Sequence, residues 1–253
     1  MTPVPVLVII PTYNEAGMIG EVISRIEHTA RSLPNVTLHI LQIDDSSTDE
    51  SAEIASSQNY RYFHQIIRPG KFGLGTAYLF GFRWALAAPE NFQFIIQMDG
   101  DGSHLPEQLP DFIAAATTIQ NPALVPDLII GTRWMSGGEV SHWPLYRRFI
   151  SQAGTKYAQL ALKLPLRDLT SGYRLFSRRA IQGLSEHDLA SKGYSFQIET
   201  AMKIVDSGAQ VQEIPIHFEE RTIGRSKMSG SIALEAWRRI TIWGIQRRIV
   251  YRR

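Results

Sequence analysis

The chain has 253 residues, 44% of them hydrophobic, enough to bury a full core in one large α/β domain or two small ones. Lys and Arg number 26 against 24 Asp and Glu, a formal charge of +2, which excludes a bulk nucleic-acid binder with a surface dominated by cations. With no cysteine, a disulfide scaffold, a thiolate metal centre and a Cys nucleophile are excluded, and the composition fits a reducing compartment.

An apolar stretch at 6–11 follows the start almost at once, with no basic segment or long apolar run before it. It reads as a buried strand over 6–10 rather than a signal peptide. Ile19, Val22, Ile23, Ile26 and Ala30 then form an i, i+3, i+4, i+7 stripe, the mark of a helix packed on a sheet. Further strands are predicted at 38–43, 63–67, 94–98 and 128–130, several apolar on both faces as a covered parallel sheet requires. Helices are predicted at 51–57, 75–88 and 106–118, the last opening with Pro106 in its first turn. The order β-α-β-α predicts a doubly wound, mostly parallel sheet with flanking helices, a nucleotide-binding half. The loop at 135–141, rich in Gly and small polar residues, reads as a lid. From about Trp143 a long helical pattern runs to Leu162, followed by a Thr-Ser-Gly-Tyr turn at 170–173 and a short strand, where the acceptor-facing half is expected to begin. No window approaches the roughly eighteen apolar residues of a spanning helix, so any membrane contact is expected to be peripheral.

Open α/β sheets bind ligands outside the carboxyl ends of their strands. Asp99-Gly100-Asp101 stands at such an end, and two adjacent carboxylates call for a hard cation such as Mg²⁺ or Mn²⁺. The same residues can also form a plain turn, and both readings stay open on the motif alone. Asp44-Asp45 ends the second strand and leads into Ser46 to Asp49: these residues either cap a helix or read a base or ribose. Tyr13 offers a ring to stack on a base, with Asn14 starting the next helix. Arg68, Lys71 and the glycines at 70, 73 and 75 compose either a phosphate-approaching loop or a Gly-rich turn; a Walker pattern is absent. The histidines, including His104 and His217, lack ligand spacing and read as structural.

Eight ordered blocks carry a resemblance. They are PTYNE (11–15), IDDSSTD (43–49), RPGKFGLGTAY (68–78), DGDGSHLPE (99–107), GTRW (131–134), LTSGYRLF (169–176), KGYSFQIE (192–199) and ERTIGRSK (220–227). In this order they resemble the polyprenol monophosphomannose synthases, family-two glycosyltransferases of GT-A fold that include the dolichol-phosphate mannose synthases. The resemblance implies a catalytic domain over 1–228, in which Pro11, Tyr13, Glu15, Ile43 and Asp45 hold the nucleoside. Asp99, Gly100 and Asp101 would contact the diphosphate and metal, with Lys71, Arg133, Arg221 and Lys227 binding donor phosphates. Arg147, with Arg148 and Ser151, falls where the family meets the acceptor phosphate; Asp99, Asp101 and Arg147 are thus the expected catalytic set. Ser103 stands where some members place a Gln metal ligand. Where the family often shows Asp-Ala-Asp and then a bulky residue, Gly100 and Gly102 flank Asp101 here, which predicts a looser loop.

The implied reaction moves mannose from GDP-mannose to a polyprenyl phosphate. A phosphate monoester carries roughly −1.5 to −2 charge at neutral pH, so its oxygen attacks the anomeric carbon without a protein base. The protein must neutralise the diphosphate leaving group and align two anions, and one displacement inverts the sugar to a β-linkage. UDP-glucose as donor is one alternative; a non-catalytic nucleotide-sugar or lipid-binding subunit is another. The tail at 229–253 carries six arginines and one acid among Trp, Tyr and Ile. It reads either as a helix docking on the cytoplasmic face of a membrane or on an anchoring partner, or as a helix packed on the domain.

Overall fold

A computed structural model describes residues 2–119, 121–186, 189, 193, 195–220 and 230–250. In the first half, β1 (Val4–Thr12), α1 (Ile19–Ala30), β2 (Val36–Asp44), α2 (Ser51–Ser57), β3 (Phe63–Ile67), α3 (Leu74–Ala87) and β4 (Phe94–Gln97) alternate as predicted. A 3₁₀ turn at Pro106–Gln108 leads into α4 (Leu109–Thr117), followed by β5 (Leu128–Thr132), β6 (Glu139–Val140) and α5 (Leu145–Leu162). Then come β7 (Arg174–Ser177), α6 (Arg178–Ser185), α7 (Ser195–Asp206), β8 (Val211–Pro215), β9 (His217–Phe218) and α8 (Gly230–Val250).

Seven strands form one sheet in the order β3-β2-β1-β4-β7-β5-β8, all pairs parallel except those of β7. Apolar side chains on both faces build two cores. Leu7, Ile9, Leu41 and Ile43 pack toward α3, α6 and α7, while Val6, Val8, Ile10, Leu38 and Ile40 pack toward α1 and α4. The predicted α1 stripe is buried at Ile19, Val22, Ile23 and Ile26. Each such side chain contributes ~1.5–3 kcal/mol by leaving water.

Two features were not legible in the sequence. β7 enters the sheet antiparallel between β4 and β5, with Arg174 opposite Gln97 and Ile130. Its entry turn at Ser171-Gly172 is thereby delivered to the carboxyl end of β4, and a Cβ at Gly172 would lie 3.8 Å from Asp99 Oδ1. The loop expected to be a lid is instead pinned: Glu139 and Val140 pair with His217 and Phe218, and Val140 is buried. A Cβ at Gly138 would fall 2.6 Å from the Thr132 carbonyl, so only glycine fits that backbone approach.

α8 packs on α5. Ile240 is buried, Trp237 lies over Tyr157 with centroids 5.3 Å apart, and Tyr157 Oη and Thr241 Oγ1 are 2.6 Å apart. Among the described residues, no helix is long and apolar enough to cross a membrane.

Candidate active site

The carboxyl ends of β1 and β2 are tied together through Asp44. Its carboxylate accepts from Thr12 Oγ1 at 3.0 Å, from the Ser47 amide at 2.7 Å and from Ser47 Oγ at 2.6 Å. Asn14 and Ser46 both take left-handed backbone, φ 55°, which strains a non-glycine residue. Local bonds offset that strain: Ser47 Oγ accepts from the Asn14 amide, Asn14 Oδ1 from the Thr48 amide, and Ser46 Oγ donates to the Arg68 carbonyl. Asn14 therefore does not start α1, whose N-cap is Met18. Ser47 and Asp49 likewise reach across to the 14–16 segment, Asp49 accepting from the Ala16 amide at 3.1 Å.

Asp45 is buried against the segment before α3. Oδ1 accepts from Arg68 Nε at 2.6 Å, and Oδ2 accepts from the Phe72 and Gly73 amides at 3.1 and 3.2 Å. Of the two loop cations, Arg68 is thus structural, while the exposed Lys71 places Nζ 3.8 Å from the centre of the Tyr13 ring. Pro11, Tyr13 and Glu15 line the end of β1, all half-buried. Ile43 differs from expectation: its side chain is wholly buried in the core beside Ile9 and Gly81, so only its main chain can meet a nucleoside.

After β4 the chain turns through the acidic pair. Asp101 is 5% exposed, and its Oδ1 accepts from the Ser103 amide at 3.0 Å and Ser103 Oγ at 2.6 Å. Ser103 thereby orients Asp101, and its hydroxyl oxygen lies directly beside that carboxylate. Asp99 is about one-third exposed, with Tyr78 Oη 3.3 Å from its Oδ1, and its amide donates to His104 Nδ1 at 3.0 Å. Burial holds His104 below the usual histidine range, so the ring is neutral and accepts that bond. Both glycines are closely fitted: Gly102 has φ +80° and a Cβ there would fall 2.7 Å from Met18 Cε, and a Cβ at Gly100 would lie 3.1 Å from Ile10 Cγ2. Two carboxylates and a hydroxyl form an all-oxygen donor set that suits Mg²⁺ or Mn²⁺.

Two predicted phosphate-binding arginines carry partners. Arg133 sends Nε and Nη2 to Asp168 at 2.7 and 2.9 Å, and Nη2 also to Thr170 Oγ1 at 2.9 Å. It is 7% exposed, so its charge is spent on a buried carboxylate. Burial alone would raise Asp168, but the Arg133 charge and hydrogen bonds outweigh it and hold the carboxyl low. Arg147, at the start of α5, lies 4.1 Å from the centre of the Trp143 ring and donates to Glu220 at 2.7 Å. Arg148 is exposed and Ser151 half-buried on the same helix. Arg221 and Lys227 lie outside the described residues.

Sequence reasoning missed Asp168, Tyr78, His104 and Glu220 as site neighbours, because each acts on a partner distant in sequence or buried. It also missed Arg174. This wholly buried guanidinium, pulled by burial down to about 9, donates to the carbonyls of Leu169, Ser171 and Gln197 and so fixes the turn beside Asp99.

Among the described residues, His39, His64 and Glu90 bring three ligand atoms within 4.8 Å of one another. The two ring planes lie within 5°, with centroids 5.4 Å apart and His39 Nδ1 3.1 Å from His64 Nε2. Such rings meet nose to nose in one plane, one nitrogen donating to the other. Their lone pairs do not converge on a third point as metal ligands must. His39 also stands five residues before Asp44, ~16 Å along the strand from the acidic turn's end of the sheet.

Residues 7–184 match glycosyl transferase family 2. A polyprenol monophosphomannose synthase of Mycolicibacterium smegmatis is 37% identical over 246 residues, covering 96% of this chain and 88% of its own. An undecaprenyl-phosphate mannosyltransferase of Micrococcus luteus is 38% identical over 245 residues, covering 96% of this chain and 95% of its own. Among solved structures, a glucosyl-3-phosphoglycerate synthase from Mycobacterium tuberculosis in complex with Mn²⁺, UDP and phosphoglyceric acid superposes with a TM-score of 0.66. Identity is 18%, over 96% of this chain and 78% of that one. A mannosyl-3-phosphoglycerate synthase from Rubrobacter xylanophilus gives 0.64 at 15% identity over 98% and 75%. These two bear on the fold alone, and that fold is the GT-A arrangement the sequence resembled. With the family match and the two relatives agreeing across nearly its whole length, the chain belongs to glycosyl transferase family 2 and is a glycosyltransferase.

Proposed function

We propose that the enzyme transfers mannose from GDP-mannose to a polyprenyl phosphate, inverting the anomeric centre, at the cytoplasmic face of a membrane. The observation that carries this reading is the pairing of two features. Asp99 and Asp101 follow the carboxyl end of β4, and α5 brings Arg147 together with exposed Leu145, Tyr146, Phe149 and Ile150. A cation beside an apolar helix face is what a phosphate on a lipid tail requires. The two mannosyltransferase relatives support the sugar and the acceptor class.

In this reading Tyr13, Glu15, Pro11, Asp45 and the Ile43 main chain hold the nucleoside, with Lys71 closing over the phosphates. Asp99, Asp101 and the Ser103 hydroxyl would hold Mg²⁺ or Mn²⁺, which supplies positive charge to the departing diphosphate. Arg221 and Lys227 complete the donor-phosphate set. Arg147, Arg148 and Ser151 receive the acceptor phosphate, whose own oxygen is the nucleophile, so no protein base is required. Arg133 supports from behind, through Asp168. The catalytic unit is residues 1–228, and 229–253 adds membrane-surface contact, alone or with an anchoring partner.

The test is to incubate the purified chain with GDP-mannose, a short polyprenyl phosphate and Mg²⁺ or Mn²⁺, and extract the lipid. Metal-dependent mannolipid with a β-linkage by anomeric NMR coupling, lost in Asp101→Ala, is expected. Glucolipid from UDP-glucose alone would change the donor, and no lipid product despite nucleotide binding would overturn the assignment.

A further inference from the structure

A phenol is an unusual side chain to bury completely, because a phenylalanine fills nearly the same space without a polar atom to satisfy. Tyr78 is such a residue. It lies on α3, its ring is fully buried parallel to Phe196 at 6.2 Å, and its hydroxyl reaches Asp99 Oδ1. The bond runs from the phenol O–H to the carboxylate oxygen, which can only accept. His104 fixes the Asp99 main chain from the other side, accepting from its amide at 3.0 Å. Asp101 is arranged in the same way, with the Ser103 hydroxyl donating to its Oδ1. Each carboxylate of the pair therefore meets one hydroxyl on one oxygen.

We propose that Tyr78 is a positioning residue for the divalent cation: its hydroxyl holds the Asp99 carboxylate in the orientation that takes the metal, and so couples α3 to that site. The inference rests on the reading of Asp99 as a metal ligand. Groups that orient metal ligands from behind typically change affinity by ~10–100-fold when lost.

The experiment measures Mn²⁺ affinity of the full chain by electron paramagnetic resonance of the free ion, with GDP present, in wild type, Tyr78→Phe, Tyr78→Leu and Asp99→Asn. Tyr78→Phe keeps the ring and its Phe196 contact. It is expected to weaken Mn²⁺ ~10-fold while leaving the melting temperature and metal-free GDP affinity unchanged. Tyr78→Leu should lose both Mn²⁺ affinity and thermal stability, and Tyr78→Phe should add nothing in the Asp99→Asn background. Wild-type Mn²⁺ affinity in Tyr78→Phe, with Asp99→Asn weakened, would overturn this inference alone. Unchanged affinity in Asp99→Asn would remove the metal-ligand reading beneath it.

Discussion

The Arg133 guanidinium makes paired bonds to Asp168 and lies beside the touching rings of Trp143 and Phe218, whose centres are 5.5 and 5.3 Å away. We expect a cation so placed to organise the site rather than to meet a donor phosphate. Asp168→Asn would leave that charge buried and unmatched, which costs ~3–5 kcal/mol. The expected result is a lower urea midpoint, and Lys at 133 should not rescue it because the two-pronged geometry is lost. A raised donor KM with an unchanged midpoint would restore Arg133 as a phosphate clamp. At Gly102, φ +80° and the Met18 contact predict that alanine destabilises by ~1–2 kcal/mol, measurable by the same denaturation.

α5 and α8 act as a pair. Gly244 lets α8 approach so closely that a Cβ there would sit 2.7 Å from the Ala161 carbonyl, and Ile240 is buried between the helices and the core. Deleting 229–253 would therefore strip cover from α5 as well as any surface that touches lipid. Point changes separate the two effects. Leu145, Phe149, Leu234 and Ile245 are exposed, so Phe149→Ser and Leu234→Ser should leave the melting temperature unchanged. If these faces enter an anionic bilayer, each change should lower co-sedimentation with phosphatidylglycerol vesicles ~10-fold or more, given ~1.5–3 kcal/mol per apolar side chain. Sedimentation equal to wild type in both would remove the docking surface.

Across the whole molecule, burial holds His39, His64 and His104 below the ordinary 6.5. The unfolded chain then binds more protons than the folded one as the pH falls through 6.5, so stability is full above that value and is lost below it, toward the depressed folded values. Each proton of difference is worth ~1.4 kcal/mol per pH unit. Melting scans from pH 7.5 to 5 should show a falling midpoint whose slope flattens in His64→Gln, and parallel curves would exclude the pair as the cause. A second loss belongs below 3.8, where Asp127 and Asp168 titrate. Burial would raise both, but their arginine partners outweigh it and hold them low.

The alternation of strands and helices, the α1 stripe and the acidic turn after β4 were legible because each depends on residues within one or two turns of chain. Side-chain period and apolar run length set which face is buried, and a sheet with both faces covered puts its ligands at the strand ends. The sequence by itself therefore determined the fold class, the family and the edge of the sheet at which the candidate site lies. Tertiary structure alone decided which carboxylates the predicted cations meet. Arg133 meets Asp168, 35 residues away, and Arg147 meets Glu220, 73 residues away. It also turned Ile43 into the core, threaded β7 antiparallel to bring Gly172 beside Asp99, and set Tyr78 behind that carboxylate. The physical reason is range: local periodicity writes an element into its own residues, whereas the partner of a buried charge is chosen only when distant segments close on one another.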